Sequence, residues 1–298
     1  MHRENTAKRN VIASMCIYGT IGLFVRSIPL ASSVIAMARG VIGSLFLLLV
    51  LLVMRSRLSR EAIRKQFPRL CLTGAMLGFN WILLFEAYRF TTVATATLCY
   101  YMAPIILVAL SPFVFRERLS LRKLLCVLAA LLGMVFVSGA AGGGLPAPAE
   151  LKGVLLALSA AVFYALIVIS NKRLSGLSAY ERTIMQLLLS ALVLLPYNLL
   201  TGAFSAGALS ARSLLLLLTV GILHTGVAYY LYFGSMERLR SQTLAILSYI
   251  DPVVAVLLSA LILREPLGPL DLAGAVLILG AAILSELPEK PKSPTVGG

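Results

Sequence analysis

The chain has 298 residues, of which 59% are apolar and 13% are charged, and its formal net charge is +14. Soluble domains hold roughly 45–50% apolar and about 25% charged residues, so this composition excludes a soluble globular protein. The basic residues lie between apolar stretches and are not interleaved with aromatic side chains, which argues against a nucleic-acid partner. The composition predicts an all-α integral membrane protein.

Apolar runs bounded by charged clusters and by Gly or Pro predict ten membrane-spanning helices. Most runs are close to the roughly 20 residues that a hydrocarbon core of about 30 Å requires. The predicted helices cover residues 10–26, 32–54, 68–88, 92–115, 120–140, 151–172, 180–200, 213–235, 241–263 and 269–287.

A stretch rich in Gly, Pro and Ala separates the fifth predicted helix from the sixth. We therefore predict a first five-helix repeat over residues 1–140, a linker over 141–150 and a second, inverted five-helix repeat over 151–287. Residues 288–298 are polar and rich in Pro, which predicts a disordered cytoplasmic tail.

The Lys and Arg residues are distributed unevenly over the two sides of this arrangement. If the amino terminus is cytoplasmic, 20 of them lie in cytoplasmic segments and five in outer segments. Positive charge is enriched on the cytoplasmic side of membrane proteins. The distribution therefore predicts that both termini lie in the cytoplasm and that the helices cross the cytoplasmic (inner) membrane, in contact with its lipid.

Two stretches of the chain carry nearly the same sequence. Residues 100–120 read YYMAPIILVALSPFVFRERLS, and residues 248–268 read SYIDPVVAVLLSALILREPLG. At a shift of 148 residues, Tyr-x-x-Pro and Arg-Glu-x-Leu recur with the same spacing. An odd number of spans separates the copies, so the second copy is inverted in the bilayer. Inverted repeats are typical of secondary transporters that alternate access to a site near the midplane.

The repeated residues also resemble a known family, the drug/metabolite transporter superfamily, and in particular its ten-helix EamA-type exporters. The matching positions are Gly78, Phe85, Ala87, Pro104, Glu117 and Leu119, echoed by Gly226, Phe233, Pro252, Glu265 and Leu267. The resemblance implies two intertwined five-helix repeats around a central cavity, lined mainly by helices 1, 3, 4, 6, 8 and 9. It points to the branch that exports aromatic and other amino acids. The second copy departs from the first where Asp251 replaces Ala103 and where Pro266 follows the glutamate.

Four ionisable side chains lie inside the predicted spans: Arg39, Glu86, His224 and Asp251. Such groups cost from about 2.5 to more than 10 kcal/mol at the bilayer centre, so each is expected to face a cavity or a partner. Along their spans, His224 and Asp251 fall near the midplane, whereas Arg39 and Glu86 share a depth in the outer half. The matching depth suggests an Arg39–Glu86 ion pair; the alternative is that each side chain snorkels outward.

Prolines follow the repeated tyrosines and predict bends in helices 4 and 9, at Pro104 and Pro252, because proline lacks an N–H and clashes with the preceding turn. Asp251 directly precedes the second bend. It is a candidate contact for a substrate ammonium or a proton carrier, and the alternative is a hydrogen bond to Ser248 or to a facing helix. His224 is a candidate for the same roles or for an interhelical hydrogen bond.

Aromatic and amide side chains at mid-depth are predicted to line the cavity, because a Tyr hydroxyl in hydrocarbon needs a partner. The alternative is that they pack helix against helix. These candidates are Asn80, Trp81, Tyr101, Phe163, Tyr164, Tyr229 and Tyr249. Glu117 and Glu265 end their helices and are predicted to fix turns through a salt bridge or a cap.

No Gly-x-x-x-x-Gly-Lys-[Ser/Thr] loop is present, which excludes direct use of ATP by this chain. No cofactor or metal site is expected, and the four cysteines have the pattern of buried apolar residues. The sequence therefore predicts a secondary transporter and no enzyme: an exporter of small amphipathic metabolites, with amino acids favoured, as a monomer or weak oligomer. One alternative is efflux of cationic lipophilic drugs, with Glu86 or Asp251 as counter-charge. Another is an intramembrane hydrolase that uses His224.

Overall fold

A computed structural model describes residues 2–56, 58–115, 120–137, 147–205, 209–236, 238–239 and 241–287. Within these ranges the regular structure is helical and includes no strand. The prediction of an all-α protein is therefore confirmed.

Each predicted span corresponds to one helix or to consecutive helices. The first half contains α1 (His2–Gly19), α2 (Ile21–Arg26), α3 (Ser32–Val53), α4 (Arg60–Phe90), α5 (Val93–Tyr100), α6 (Ala103–Phe115) and α7 (Leu121–Val137). The second half contains α8 (Pro148–Asn171), α9 (Ala179–Leu200), a short 3-10 turn (Ala203–Ser205), α10 (Ala211–Thr219), a π-helix (Val220–Val227), α11 (Ala228–Met236), α12 (Ser241–Ser248), α13 (Ile250–Leu261) and α14 (Pro269–Glu286).

In the part of the chain that the structure describes, six helical stretches are long and apolar enough to cross a membrane. They are Ser32–Val53, Arg60–Phe90, Val93–Leu110, Pro148–Asn171, Ala179–Leu200 and Ala211–Ser235. Two shorter apolar stretches, Ile246–Leu261 and Pro269–Ser285, belong to the same bundle. These helices make the chain an integral membrane protein.

Two predicted helices begin eight residues too late. The sequence places their starts at residues 10 and 68, whereas α1 begins at His2 and α4 begins at Arg60. The second of these helices, α4, continues through Pro68. Its 31 residues span about 46 Å at 1.5 Å per residue, which exceeds the hydrocarbon thickness. The charged first turns therefore extend beyond the apolar core, where helical structure does not require an apolar run.

Helices from the two halves pack against each other. α4 contacts α8 and α9, α3 contacts α9 and the π-helix, and α1 contacts α11 and α13. The main hydrophobic cluster accordingly contains Phe85 and Leu98 from the first half and Leu187 and Ile278 from the second. The two halves are interlocked rather than side by side, so movement of one half must displace helices of the other.

Small residues permit the closest helix contacts, as expected between membrane helices. A Cβ on Gly133 of α7 would lie 2.8 Å from the carbonyl oxygen of Gly274 in α14, and a Cβ on Gly274 would lie 2.6 Å from that of Gly133. In α4, a Cβ on Gly74 would lie 2.7 Å from Leu189 of α9. Any larger side chain at these positions must separate the helices.

The bundle has two ends, which we name by one residue each. The Arg26 end carries Arg26 together with the start of α5 and the end of α13, and the Glu181 end carries Glu181 together with the starts of α4 and α9. At 1.5 Å per residue, Arg39, Trp81 and Asp251 each lie about 10–15 Å from the Arg26 end.

Candidate functional site

Two helix breaks, one in each half of the chain, form the middle of the candidate site. α5 ends at Tyr100 and α6 begins at Ala103, while α12 ends at Ser248 and α13 begins at Ile250. Pro104 and Pro252 lie in the first turn of the following helix, where the missing N–H costs least. A proline also leaves the carbonyl four residues earlier without its helical donor.

The carbonyl that Pro252 leaves free is that of Ser248, and the first half of the chain supplies a partner for it. The Tyr101 hydroxyl donates to Asp251 Oδ2 at 2.7 Å and lies 3.3 Å from the Ser248 oxygen. One hydroxyl proton serves two acceptors here, and the shorter distance assigns it to the carboxylate. The Tyr101–Asp251 hydrogen bond thus joins the helix break of the first half to that of the second half.

Aromatic rings surround this contact. The Tyr101 ring lies 6.0 Å from that of Tyr249 and 6.3 Å from that of Tyr100, whose ring lies 5.7 Å from that of Tyr164. Tyr164, on α8, keeps 42% of its surface exposed. Phe163 is half-buried next to it. The rings give the site apolar walls, and the hydroxyls of Tyr101 and Tyr100 contact Asp251 and Asn80.

A second aromatic row leads from the middle of the bundle to the Glu181 end. The ring of Tyr229 lies 5.7 Å from Tyr18 of α1 and 5.5 Å from Phe233, which in turn lies 5.9 Å from Tyr180. Tyr229 is half-buried. The row connects α1, α11 and the first turn of α9.

Asn80 does not face an open surface. It is fully buried, and its Nδ2 donates to the carbonyl of Ala160 on α8 at 2.6 Å. Its Oδ1 lies 3.4 Å from the Tyr100 hydroxyl. For this residue the contacts match the alternative of packing between helices: Asn80 joins α4 to α8 and contacts Tyr100.

His224 lies in the π-helix of the second half and is fully buried. Its Nε2 is 2.8 Å from the hydroxyl of Thr20, the residue at which α1 and α2 separate. Its Nδ1 is 3.4 Å from the carbonyl of Thr219, and its ring lies 4.8 Å from that of Phe24. The Thr20–His224 hydrogen bond thus joins the break between α1 and α2 to the π-helix. Single turns of π-helix occur often at functional sites.

The predicted Arg39–Glu86 ion pair is not formed. Glu86 Oε2 instead accepts from the Ser32 hydroxyl at 2.7 Å and lies 3.9 Å from Nε of Arg89. The two side chains share a depth in the membrane but point to different neighbours, because depth along a span does not determine which face of the helix a residue occupies.

Arg39 is 6% exposed and turns toward α4 and the π-helix. Its Nε donates to the Thr225 hydroxyl at 2.7 Å, and its guanidinium lies 4.1 Å from the centre of the Trp81 ring and 5.9 Å from that of Phe85. A desolvated cation–π contact contributes about 2 kcal/mol, and a hydrogen bond from a charged group about 1.5–3 kcal/mol. Together they offset the lower estimates for burying Arg in a membrane, about 2.5–3.5 kcal/mol. Trp81 is buried, and its ring forms the cation–π contact with the Arg39 guanidinium.

Glu265 fixes the turn after α13. It forms an ion pair with Arg26, accepts the Ser259 hydroxyl, and its Oε2 accepts the N–H of Val93 at 2.9 Å. Arg264, just before it, adopts the left-handed region with φ 54°. This carboxylate therefore caps the start of α5 from the other half of the chain. Its counterpart Glu117 lies outside the described residues.

Sequence reasoning missed several partners in these contacts, namely Thr20, Thr225, Ser259 and the Arg26 side chain. Thr20 follows Gly19, and Thr225 precedes Gly226. A glycine at a close helix contact is a weak signal that a neighbouring hydroxyl forms a hydrogen bond between helices. Arg26 was counted only as one of the five basic residues on the outer side. Among the described residues no group of three or more His, Cys, Asp or Glu side chains is arranged to hold a metal ion.

Two surface grooves lie away from this site. One, of about 530 Å³, is lined by Leu58, Phe67 and neighbouring residues of α4, and the other, of about 320 Å³, by residues near the start of α8. Neither contains a residue of the candidate site.

Comparison with known proteins identifies the fold. A solved crystal structure superposes on the chain with a TM-score of 0.65 at 21% sequence identity and covers 94% of this chain and 96% of its own. An uncharacterised transporter of Bacillus subtilis is 30% identical over 86% of this chain and 81% of its own length. An aromatic amino acid exporter of Ancylobacter novellus is 29% identical over 72% of this chain and 74% of its own length.

The EamA-like transporter family matches the chain twice, over residues 10–139 and 151–287. These two matches leave out only the first residues, a short central segment and the carboxyl-terminal tail. The chain is accordingly a membrane transporter and not an enzyme. It belongs to the EamA-like transporter family of the drug/metabolite transporter superfamily.

Proposed function

We propose that this transporter exports small amphipathic metabolites, above all amino acids including aromatic ones, by alternating access. The observation that carries the proposal is the Tyr101–Asp251 hydrogen bond between the two helix breaks. It places a carboxylate, the Ser248 carbonyl and several aromatic rings at one point between the halves. An ammonium group and an apolar side chain are complementary to such a point.

The surroundings support this substrate class. A carboxylate held by one tyrosine keeps lone pairs for a second donor, and the rings of Tyr100, Tyr164 and Tyr249 offer faces on which an aromatic side chain stacks. The name of the Ancylobacter novellus relative, an aromatic amino acid exporter, agrees with the same chemistry.

We also propose that the transporter lies in the cytoplasmic membrane with both termini in the cytoplasm. The excess of Lys and Arg on one side, 20 against five, supports this orientation. In it the Glu181 end faces the cytoplasm and the Arg26 end faces outward. The two copies of the family match, 10–139 and 151–287, then correspond to the two inverted repeats.

The test is flux in liposomes that contain the purified full-length protein. We expect labelled phenylalanine, tryptophan or leucine to exchange across the membrane, and unlabelled substrate to compete. We expect Asp251→Asn to lower this flux at least tenfold, because the carboxylate loses its charge at the point of contact. Tyr101→Phe removes only one hydrogen bond to the carboxylate and should lower the flux less.

Glu150→Gln provides a matched control, since Glu150 is an acidic residue in the first turn of α8, away from the helix breaks. Its flux should equal that of the wild type. If the wild type exchanges no amino acid from a broad panel, the proposed substrate class is wrong. Equal flux through Asp251→Asn and the wild type would remove Asp251 from the site.

The second candidate function is efflux of cationic lipophiles. Asp251 supports it as a negative charge among aromatic rings. In this case the same liposomes would take up a lipophilic cation in preference to amino acids, and Asp251→Asn would abolish that uptake.

A further inference from the structure

Arg39 is a buried cation whose hydrogen-bonding capacity is only partly used. Its Nε donates to Thr225, and within the described part of the chain no hydrogen bond or ion pair engages its two terminal nitrogens. Neither nitrogen belongs to the fully enclosed polar atoms without a partner, so both keep some accessible surface. A guanidinium carries five N–H donors, so four of them remain available here.

The neighbours of Arg39 orient those four donors. Trp81 lies against one face of the guanidinium, at 4.1 Å from the ring centre, and Thr225 occupies the Nε edge. The edge formed by the two terminal nitrogens is left free. That edge is planar and matches the two oxygens of a carboxylate in a bidentate pair, which an ammonium cannot reproduce.

No acidic side chain of the described residues occupies this edge. Glu86 is engaged by Ser32 and Arg89, and Asp251 by Tyr101.

Contacts between neighbouring residues lead from Arg39 to Asp251. Trp81, which lies against Arg39, follows Asn80 in α4, and Asn80 Oδ1 lies 3.4 Å from the Tyr100 hydroxyl. The Tyr100 ring lies 6.3 Å from that of Tyr101, which donates to Asp251. The free edge of Arg39 and the carboxylate also share a depth, about 10–15 Å from the Arg26 end by helix rise.

We propose that Arg39 binds the carboxylate of the transported molecule, while Asp251 and Tyr101 contact its ammonium group. The inference rests on the function proposed above and narrows it: the substrate carries a free carboxylate beside an amine, as a zwitterionic amino acid does. Organic cations without a carboxylate are poor substrates, because they bring a second positive charge to a buried guanidinium.

The experiment compares two ligands with the full-length protein in detergent: labelled phenylalanine, and phenylalaninamide, which keeps the ring and the amine but lacks the carboxylate. The wild type should bind phenylalanine at least tenfold more tightly. Arg39→Gln should weaken phenylalanine binding by roughly 10- to 100-fold, the range for a lost charge-assisted bidentate pair, and leave phenylalaninamide binding unchanged or tighter. A role limited to helix packing would weaken both ligands alike, and that result would overturn the proposal.

Arg89→Gln is the matched control. It also removes a guanidinium near the Arg26 end, but that side chain is 44% exposed and contacts Glu86. It should bind both ligands as the wild type does. If Arg89→Gln lost phenylalanine binding as selectively and as strongly as Arg39→Gln, the effect would come from the positive electrostatic potential at this end of the protein. That result would overturn the assignment to Arg39.

Two milder variants keep the test decisive if Arg39→Gln does not fold. Arg39→Lys keeps the charge without the planar fork, and Thr225→Val frees Nε without removing the guanidinium. Each should weaken phenylalanine binding by about 2- to 10-fold and spare phenylalaninamide. If either folded variant weakens both ligands equally, Arg39 does not recognise the carboxylate. If the wild type binds and transports amino acids while every Arg39 variant does the same, the inference fails and the proposed function stands.

Discussion

At each end of the helix bundle, a glutamate of the second half of the chain joins helices of the two halves. The two glutamates differ in their partners. At the Arg26 end, Glu265 accepts the N–H of Val93 and the Ser259 hydroxyl and pairs with Arg26. At the Glu181 end, Glu181 accepts the N–H of Ser59 at 2.6 Å and that of Ser178 at 2.8 Å.

Both carboxylates belong to the second half of the chain, and each reaches the start of a first-half helix, α5 or α4. A negative charge is favoured there by the unpaired N–H groups and the helix dipole. Glu181 is buried, whereas Glu265 is half-buried as a residue with only 8% of its side chain exposed. The two also differ in the cation: among the described residues, Glu181 has no Lys or Arg partner.

The comparison teaches that contacts between the halves join helices at both ends of the bundle, and that the contacts at the Arg26 end include an ion pair that the Glu181 end lacks among the described residues. The alternating access proposed above requires each end to open in turn. We therefore expect the Arg26 end to be the harder of the two to open.

The largest expected effect is that of Glu265→Ala. The substitution leaves the Val93 N–H, the Ser259 hydroxyl and the Arg26 guanidinium without their acceptor, so we expect a loss of about 2–4 kcal/mol in the free energy of unfolding. Denaturant titration of the detergent-solubilised protein measures it. Arg26→Gln is the control: because Arg26 is 40% exposed, that variant should lose only about 0.2–1 kcal/mol. A wild-type midpoint for Glu265→Ala would contradict the description of the Arg26 end.

Glu181→Ala tests the other end. It removes the acceptor of two backbone N–H groups but strands no cation, so we expect a smaller loss of about 1–3 kcal/mol in the same titration. A cysteine placed near Ser59 should become more accessible to a water-soluble thiol reagent in this variant. If Glu181→Ala destabilises the protein more than Glu265→Ala does, our ranking of the two ends is wrong.

Ser178→Ala separates the helix cap from the bridge between the halves. Ser178 accepts the N–H of Glu181 and forms a capping box with it, and loss of such a cap costs about 1 kcal/mol. The Glu181–Ser59 contact does not depend on the Ser178 hydroxyl, so thiol accessibility near Ser59 should stay at the wild-type level. Increased accessibility in Ser178→Ala would mean that the cap itself holds this end closed.

The smallest expected effect is the coupling between the ends. In a detergent state with no substrate, the double variant Glu265→Ala/Glu181→Ala should lose the sum of the two single losses to within about 0.5 kcal/mol, as distant sites usually do. Denaturation of the four proteins of this cycle gives the coupling directly. A larger deviation would show that opening one end changes the other even without substrate.

Much of the fold could be predicted because the signals are local. Apolar runs of membrane length predicted the spans, and Pro104 and Pro252 marked the positions where helices break. The π-helix was not predicted, since its sequence, VGILHTGV, has the same apolar composition as an ordinary membrane helix. The extension of α4 to Arg60 was missed for a related reason, because beyond the lipid a helix needs no apolar run.

The candidate site was predicted as a set of residues but not as a set of contacts. Asp251 was selected as an ionisable residue inside a span and Tyr101 as an aromatic residue at mid-depth, yet their hydrogen bond across the halves has no signature in the sequence. Matching depth suggested that Arg39 pairs with Glu86, with outward snorkelling as the alternative, and in the structure Arg39 turns to Trp81 and Thr225. Depth along a span is readable from the sequence, whereas rotation about the helix axis and the identity of the neighbouring helix are not.

The sequence by itself determined that the chain is an integral membrane protein, and it predicted the ten spans, their internal repetition and the residues that are too polar for lipid, because hydropathy, charge and proline act on the chain locally. Only the tertiary structure decided which of those polar residues meet: Tyr101 with Asp251, Thr20 with His224, and Glu265 with the start of α5. The reason is that the interlocked packing of both halves sets the face that every helix turns toward its neighbours, and no single segment contains that information.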